Sequence, residues 1–242
     1  MTYFRNFPII SYKFGDETTS DRFRNIAIYS DVVDQIKNVA SSYVDYYVLP
    51  NERPDQVSYK LYGSTSYHWT FELMNPKIRE RGWPLSQQKI YEKGLADYNE
   101  LVLTTRTKLT DKFKVGQTIS GNVSGHSGTI IHRELDLGQL YVANNTGTFN
   151  AGETIQSTNS AGDIETITLT STSSKYNVAH HYENSDNEWV DIDPETGPGA
   201  GITEITWLDR LNSQNDELRQ IRVIRSELVK RISDVFKESI SI

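Results

Sequence analysis

The segment Phe113-Lys114-Val115-Gly116-Gln117-Thr118-Ile119 returns later in the chain as Phe149-Asn150-Ala151-Gly152-Glu153-Thr154-Ile155. Ser124-Gly125 is echoed at the same offset by Ser160-Ala161. Each copy reads as a turn built on a glycine, which enters the left-handed region cheaply, followed by a strand. The residues around both copies are rich in Thr, Ser, Gly and Asn, with apolar residues at alternate positions. That is a strand-and-turn signature. Gly128-Thr129-Ile130-Ile131, Leu140-Tyr141-Val142 and Glu165-Thr166-Ile167-Thr168-Leu169 supply further strands. The pattern predicts a small all-β sandwich or barrel of about five to seven strands over 105–172. Two copies are too few for a solenoid.

A different pattern runs from Tyr43 to Asn75. Tyr43–Val48 is β-rich, with Val44, Tyr46 and Val48 on one face and Tyr43, Asp45 and Tyr47 on the other. Pro54 suits the first turn of a helix. Val57, Leu61 and Tyr62 then fall on one helical face, and Gly63 stops the helix. A second short helix from about Ser66 carries Trp69, Phe71, Leu73 and Met74, and Asn75-Pro76 ends it. Leu101-Val102-Leu103 is available as a closing strand for this unit, paired with Tyr43–Val48.

The remaining segments read more simply. Residues 1–25 hold Phe4, Phe7, Ile9, Ile10, Tyr12 and Phe14 without a period, as in an arm that buries against an outside surface. Ser30 caps an expected helix with Val33, Ile36 and Val39 or Ala40 inward. Another helix starts at Pro84 or Ser86, with Ile90, Tyr91 and Leu95 inward. At the other end, Leu218, Ile221, Ile224, Leu228, Ile232, Val235 and Phe236 keep three-four spacing. They predict one long amphipathic helix from about Thr203, or from Asp216, to Glu238, with Ser213 and Asp216 as a capping-box variant.

Composition excludes several functions. There is no cysteine, hence no disulfide framework and no Cys-based zinc site. The formal net charge is −7 with both signs dispersed, which argues against a nucleic-acid surface. No apolar run approaches the ~18–20 residues of a membrane span, and the first residues do not read as a signal peptide. His180 and His181 are adjacent, so an ideal strand would point them to opposite faces and spoil them as a chelating pair. Gly121-Asn122-Val123-Ser124-Gly125 is not followed by the Lys-Ser/Thr of a phosphate loop, and no nucleophile elbow or His-Glu-x-x-His is present. The expectation is a non-enzyme without cofactor or metal, with small-molecule ligands disfavoured.

The strand, two short helices and Leu73-Met74-Asn75 exit, together with Tyr59-Lys60-Leu61-Tyr62-Gly63, resemble the β-α-α-β plan of LysM domains. The usual Gly-Asp-Thr-Leu entry is replaced here by Asn51-Glu52-Arg53-Pro54-Asp55. Tyr62-Gly63, Trp69, Met74-Asn75, Gly82-Trp83 and Glu217-Leu218-Arg219-Gln220-Ile221, taken in order, are similar to the LysM-like baseplate wedge protein of T4-like contractile-tailed bacteriophages. The resemblance covers roughly 20–103 and 176–240; residues 104–174 find no counterpart and look like an insertion. It implies an α+β fold: a LysM-like unit with flanking helices over 26–103 and an inserted small all-β domain over 104–174. An arm over 1–25 precedes them, and a segment over 175–242 ends in the long helix. It also implies a structural connector between neighbouring wedge subunits, in several copies per ring, located in the virion tail and assembled in the host cytoplasm. Interface energy concentrates in aromatic and apolar anchors, for which Tyr62, Tyr67, Trp69, Trp83, Leu218, Ile221, Ile224 and Leu228 are the candidates. The rival expectations are a peptidoglycan-binding module, since LysM domains usually bind N-acetylglucosamine polymers, and a wall-degrading enzyme targeted by such a module.

Overall fold

The structure, a computed structural model, describes residues 7–16, 18–25 and 39–240. The helix expected from Ser30 lies outside them. The chain divides into two compact units. Unit 1 takes Met1–Ser86 with Gln214–Ile242, and unit 2 takes Gln87–Ser213. Unit 2 is therefore contained, in sequence, between the two segments of unit 1.

Unit 1 opens with a hairpin of β1 (Ile9–Tyr12) and β2 (Asp21–Arg24). Among the described residues β3 (Tyr43–Tyr47), α1 (Pro54–Tyr62), α2 (Trp69–Met74) and α3 (Pro76–Arg81) follow. The chain returns to unit 1 at the end of a helix, α5 (Trp207–Glu217), and continues as β13 (Gln220–Ile224) and α6 (Ser226–Ile240). The single long helix expected from Asp216 is thus replaced by a helix end, a strand and a second helix. The reason is that, although Leu218, Ile221 and Ile224 keep helical spacing, Ile221 and Val223 alternate as in a strand. Paired with β3, they place β-branched side chains on the core face. Leu218, Ile221 and Ile224 share no helix, and Ser213 and Asp216 lie inside α5 rather than at a helix start. The antiparallel partner of Tyr43–Tyr47 is accordingly Gln220–Ile224 and not Leu101–Leu103.

Leu101 instead opens the barrel of unit 2. Its strands are β4 (Leu101–Thr105), β5 (Thr118–Gly121), β6 (Ser127–Glu134), β7 (Gln139–Ala143), β8 (Thr154–Thr158) and β9 (Ile164–Ser174). They close in the order β4-β7-β6-β5-β8-β9. Exchanging β4 with β7, β5 with β8 and β6 with β9 leaves every neighbour relation intact. The near-repeat is therefore the trace of a pseudo-two-fold barrel. Closure removes the free edges that a Thr-rich open sheet would expose. Phe113 and Phe149, and Ile119 and Ile155, occupy matching places in the barrel core with Leu103, Ile130, Leu140 and Ile167. The two turns are also bonded alike. Gly116 N–H donates to Ile130 O (2.8 Å) and Gly152 N–H to Leu169 O (2.9 Å), with φ of +91° and +82°.

Two carboxylates brace these turns from inside. Glu153 accepts from the backbone N–H groups of Asn150 (2.6 Å), Ser124 (2.9 Å) and Val123 (3.1 Å), and Glu165 from that of Phe113 (2.8 Å). Burial alone would raise both pKa values, but these bonds outweigh it and hold both carboxyls below their usual 4.5. A folded value below the unfolded one contributes stability above the unfolded pKa that is lost as pH falls through the folded one. The expected result is a melting temperature that is level from neutral pH down to about 5 and falls below about 4.5. In a Glu153→Gln, Glu165→Gln chain, the fall is shallower. Thermal melts by circular dichroism across pH check this.

The outer side of β4 and β7 is covered too. Val102, Tyr141 and Val178 form a buried cluster against Trp207 of α5. The Lys175 ammonium lies over the rings of Trp207 (4.8 Å), Tyr98 and Tyr141 (5.4 Å each), with the Glu100 carboxylate 3.4 Å away. The helix α4 (Gln87–Asp97) turns Ile90 and Gly94 inward, whereas Tyr91 and Leu95, expected inward, are exposed. A small sheet of β10 (Ala179–Glu183), β11 (Trp189–Val190) and β12 (Thr203–Thr206) completes unit 2, with β10 in the middle.

Candidate interaction surfaces

Phe71 is fully buried at the centre of unit 1, stacked on Tyr62 (6.0 Å between ring centroids) and tilted against Trp83 (5.7 Å). Both partners tether the chain as well as pack it. Tyr62 Oη donates to Ile224 O (2.9 Å), and Trp83 Nε1 donates to Glu52 O (2.7 Å). Burial pushes the Tyr62 hydroxyl up to about 12, so it stays a donor at any ordinary pH. Trp69 packs on Phe236 (5.1 Å) in a second cluster with Phe7 and Ile240.

The eight anchor candidates are thereby placed. Trp69, Leu218, Ile221 and Ile224 are buried; Tyr62, Tyr67, Trp83 and Leu228 are half-buried against the same clusters. None of the eight is exposed. All eight pack against clusters inside unit 1, and Tyr62, Tyr67, Trp83 and Leu228 keep part of their surface open.

Three polar residues fix this unit, and spacing alone did not single them out. The Asn75 amide donates to Arg222 O and accepts from Arg222 N, both at 2.8 Å, completing β13 as a neighbouring strand would. Asn215 clasps Leu85 in the same way, accepting from its N–H (2.6 Å) and donating to its carbonyl (3.2 Å). The buried Arg219 guanidinium donates to Leu85 O (3.1 Å) and Asp216 Oδ1 (3.0 Å). The Met74-Asn75 and Leu218-Arg219 pairs were the available signal, because a buried polar group must find partners.

What unit 1 presents outward is apolar in two places. Every residue of β1 and β2 is exposed, and Phe14 sets its ring edge-on against Tyr12 (5.1 Å) and Phe23 (5.6 Å). A two-stranded hairpin of this kind is marginal alone in water, and here it carries Ile9, Ile10, Tyr12, Phe14 and Phe23 on its surface. The second place is β3 and the turn after it, where Val44, Tyr47 and Leu49 are exposed. Residues 1–25 thus contain short strands, although their apolar residues show no period.

The residues match a known family over this region. Residues 7–106 match base plate wedge protein 53. The match spans the hairpin, β3, α1 to α4 and β4, which is under half of the chain. No curated protein matches the chain. The wedge match supports a structural role in a phage baseplate and hence a place in the virion tail. No helix among the described residues is long and apolar enough to cross a membrane.

The histidines of unit 2 depart from the strand alternation argued above. A bulge between Ala179 and His181 turns both rings to one side, with Nδ1 atoms 2.8 Å apart. Trp189 stacks on His181 (4.1 Å), Trp207 meets His180 edge-on (4.4 Å), and His181 Nε2 bonds to Glu183 Oε1 (2.8 Å). The Arg210 guanidinium contacts His180 Nε2. Burial first, then Arg210 and His181, pull His180 down to about 4, so it is neutral at pH 7. The ring nitrogens are engaged by neighbours. Among the described residues, no group of three His, Asp or Glu is arranged to hold a metal ion.

Proposed function

We propose that this chain is a structural component of the baseplate wedge of a contractile phage tail. It joins neighbouring wedge subunits as the ring assembles, with several copies per ring. The match of residues 7–106 to base plate wedge protein 53 carries the reading. The exposed aromatic hairpin supports it, because apolar surface that its own unit leaves uncovered marks a protein contact. The succession β3-α1-α2, followed by α3 and closed by the pairing of β13 with β3, supports a LysM-like unit whose closing strand is supplied from beyond unit 2.

That β-α-α-β order also favours a second reading, binding of N-acetylglucosamine polymers. The open groove of unit 1, about 550 Å³, is lined by Asp45, Asn75, Lys77, Glu217 and Arg222. The test mixes the purified chain with the other wedge proteins of its phage and follows the product mass. The expected result is a shift from single wedges to joined wedges that requires this chain. Failure to bind any wedge protein, with saturable binding to purified peptidoglycan, would move the function to the glycan reading.

A further inference from the structure

The two outer edges of the β3–β13 ribbon are finished differently. Val48 N–H donates to Arg219 O (2.8 Å) and Arg225 N–H to Ser42 O (3.0 Å), in the register that pairs Tyr46 with Ile221 and Val44 with Val223. The backbone groups of Val44 and Tyr46 therefore face β13, and those of Tyr43, Asp45 and Tyr47 face away from it. On β13 the outward N–H and carbonyl of Arg222 are taken by the Asn75 amide, and the outward carbonyl of Ile224 by Tyr62. On β3, no described residue bonds to the outward backbone groups of Tyr43, Asp45 or Tyr47.

The side chains beside that edge say what it lacks. Val44 sits on the core face, yet it is 38% exposed where its cross-strand partner Val223 is 1% exposed. The core is open on that flank. On the other face the Asp45 carboxylate is exposed and makes no ion pair among the described residues. The strand has no proline, lysine or bulge to blunt this edge, and its one charge is Asp45. A second copy adding its own β3 antiparallel about Asp45 would set two carboxylates side by side, which is unfavourable. A strand carrying a cation there is favourable.

We propose that the outer edge of β3 is the docking site for an extended segment of another wedge protein. The segment adds as a third strand, with an apolar residue beside Val44 and a Lys or Arg beside Asp45. This rests on the baseplate reading and names the surface and the kind of partner it takes. The test is amide hydrogen exchange on the full chain, alone and assembled with the other wedge proteins. Alone, the amides of Tyr43, Asp45 and Tyr47 exchange fast while those of Val44 and Tyr46 are protected. In the assembly all five are protected, the outward three slowed by roughly tenfold or more. An Asp45→Pro chain loses an outward N–H and the carboxylate but no bond to β13, so it keeps protection at Val44 and Tyr46 but assembles roughly tenfold or more weakly. Assembly that leaves the outward amides as fast as before overturns the proposal and spares the baseplate reading. Protection that appears on concentrating the chain alone overturns it in favour of a second copy. Failure to assemble with any wedge protein ends both.

Discussion

Phe71→Ala is expected to lower the stability of unit 1 by about 3–5 kcal/mol, the range for removing a fully buried phenylalanine. Phe71 is central for a reason beyond its volume. α2 has only six residues, too few to persist by its own hydrogen bonds. It is held by what Phe71 touches: Tyr62 on one side and Trp83 on the other. Phe71 O also accepts from Asn75 N (3.1 Å) and Nδ2 (2.8 Å), and the same Asn75 amide completes β13. A cavity here therefore loosens the seat of a strand that arrives from the far end of the sequence. Urea denaturation of the full chain, with amide exchange read at Tyr43–Tyr47 and Gln220–Ile224, measures it. Phe71→Leu, which keeps most of the apolar volume, should lose distinctly less. A loss below about 1 kcal/mol for the alanine variant would mean that Phe71 does not organise this core.

The dependence of a β-α-α unit on so distant a strand explains what the sequence concealed. Tyr43–Tyr47, the Pro54 helix start, the Gly63 stop and the Asn75 exit were all local, and local signals placed them. The partner strand was not local. Leu101–Leu103 was the nearer β-rich run, and Leu218, Ile221 and Ile224 matched helical spacing. Only pairing with β3 distinguishes the alternation of Ile221 and Val223 from that spacing, and no window on one segment contains the pairing. The barrel was easier to read, because its halves repeat and each strand alternates. Its first strand was still concealed: Val102 and Leu103 are both fully buried, one under Trp207 and one in the barrel core, so the run lacks the polar side that marks a barrel strand. The interaction surface was hidden by the same logic. Aromatic content pointed to Tyr62, Trp69 and Trp83, which burial absorbs, while the open edge of β3 is a property of backbone groups and leaves no mark in composition.

The barrel contains a position where one added methyl group should be as damaging as a lost core side chain. Gly138→Ala is expected to cost about 3 kcal/mol or more. Gly138 ends the turn between β6 and β7 with φ +62°, its N–H donating to Leu135 O (3.2 Å) and its carbonyl accepting from Thr105 N (2.8 Å). A Cβ built there would stand 2.2 Å from Thr105 O, a backbone atom with no rotamer in which to retreat. Thr105 has little freedom to move: its Oγ1 donates to Thr168 O (2.8 Å) and accepts from Thr107 N (3.1 Å), beside the register shift where β4 meets β9. Relief must come from opening β4 away from β7, one of the contacts that join the two pseudo-symmetric halves. Gly125 supplies the control. Its φ is +69°, but nothing lies within 4 Å of a Cβ built there, so Gly125→Ala should lose only the left-handed penalty of about 1–2 kcal/mol. Thermal melts of the two variants separate torsion from collision. Equal losses would mean that Thr105 does not approach Gly138 as closely as a closed barrel requires.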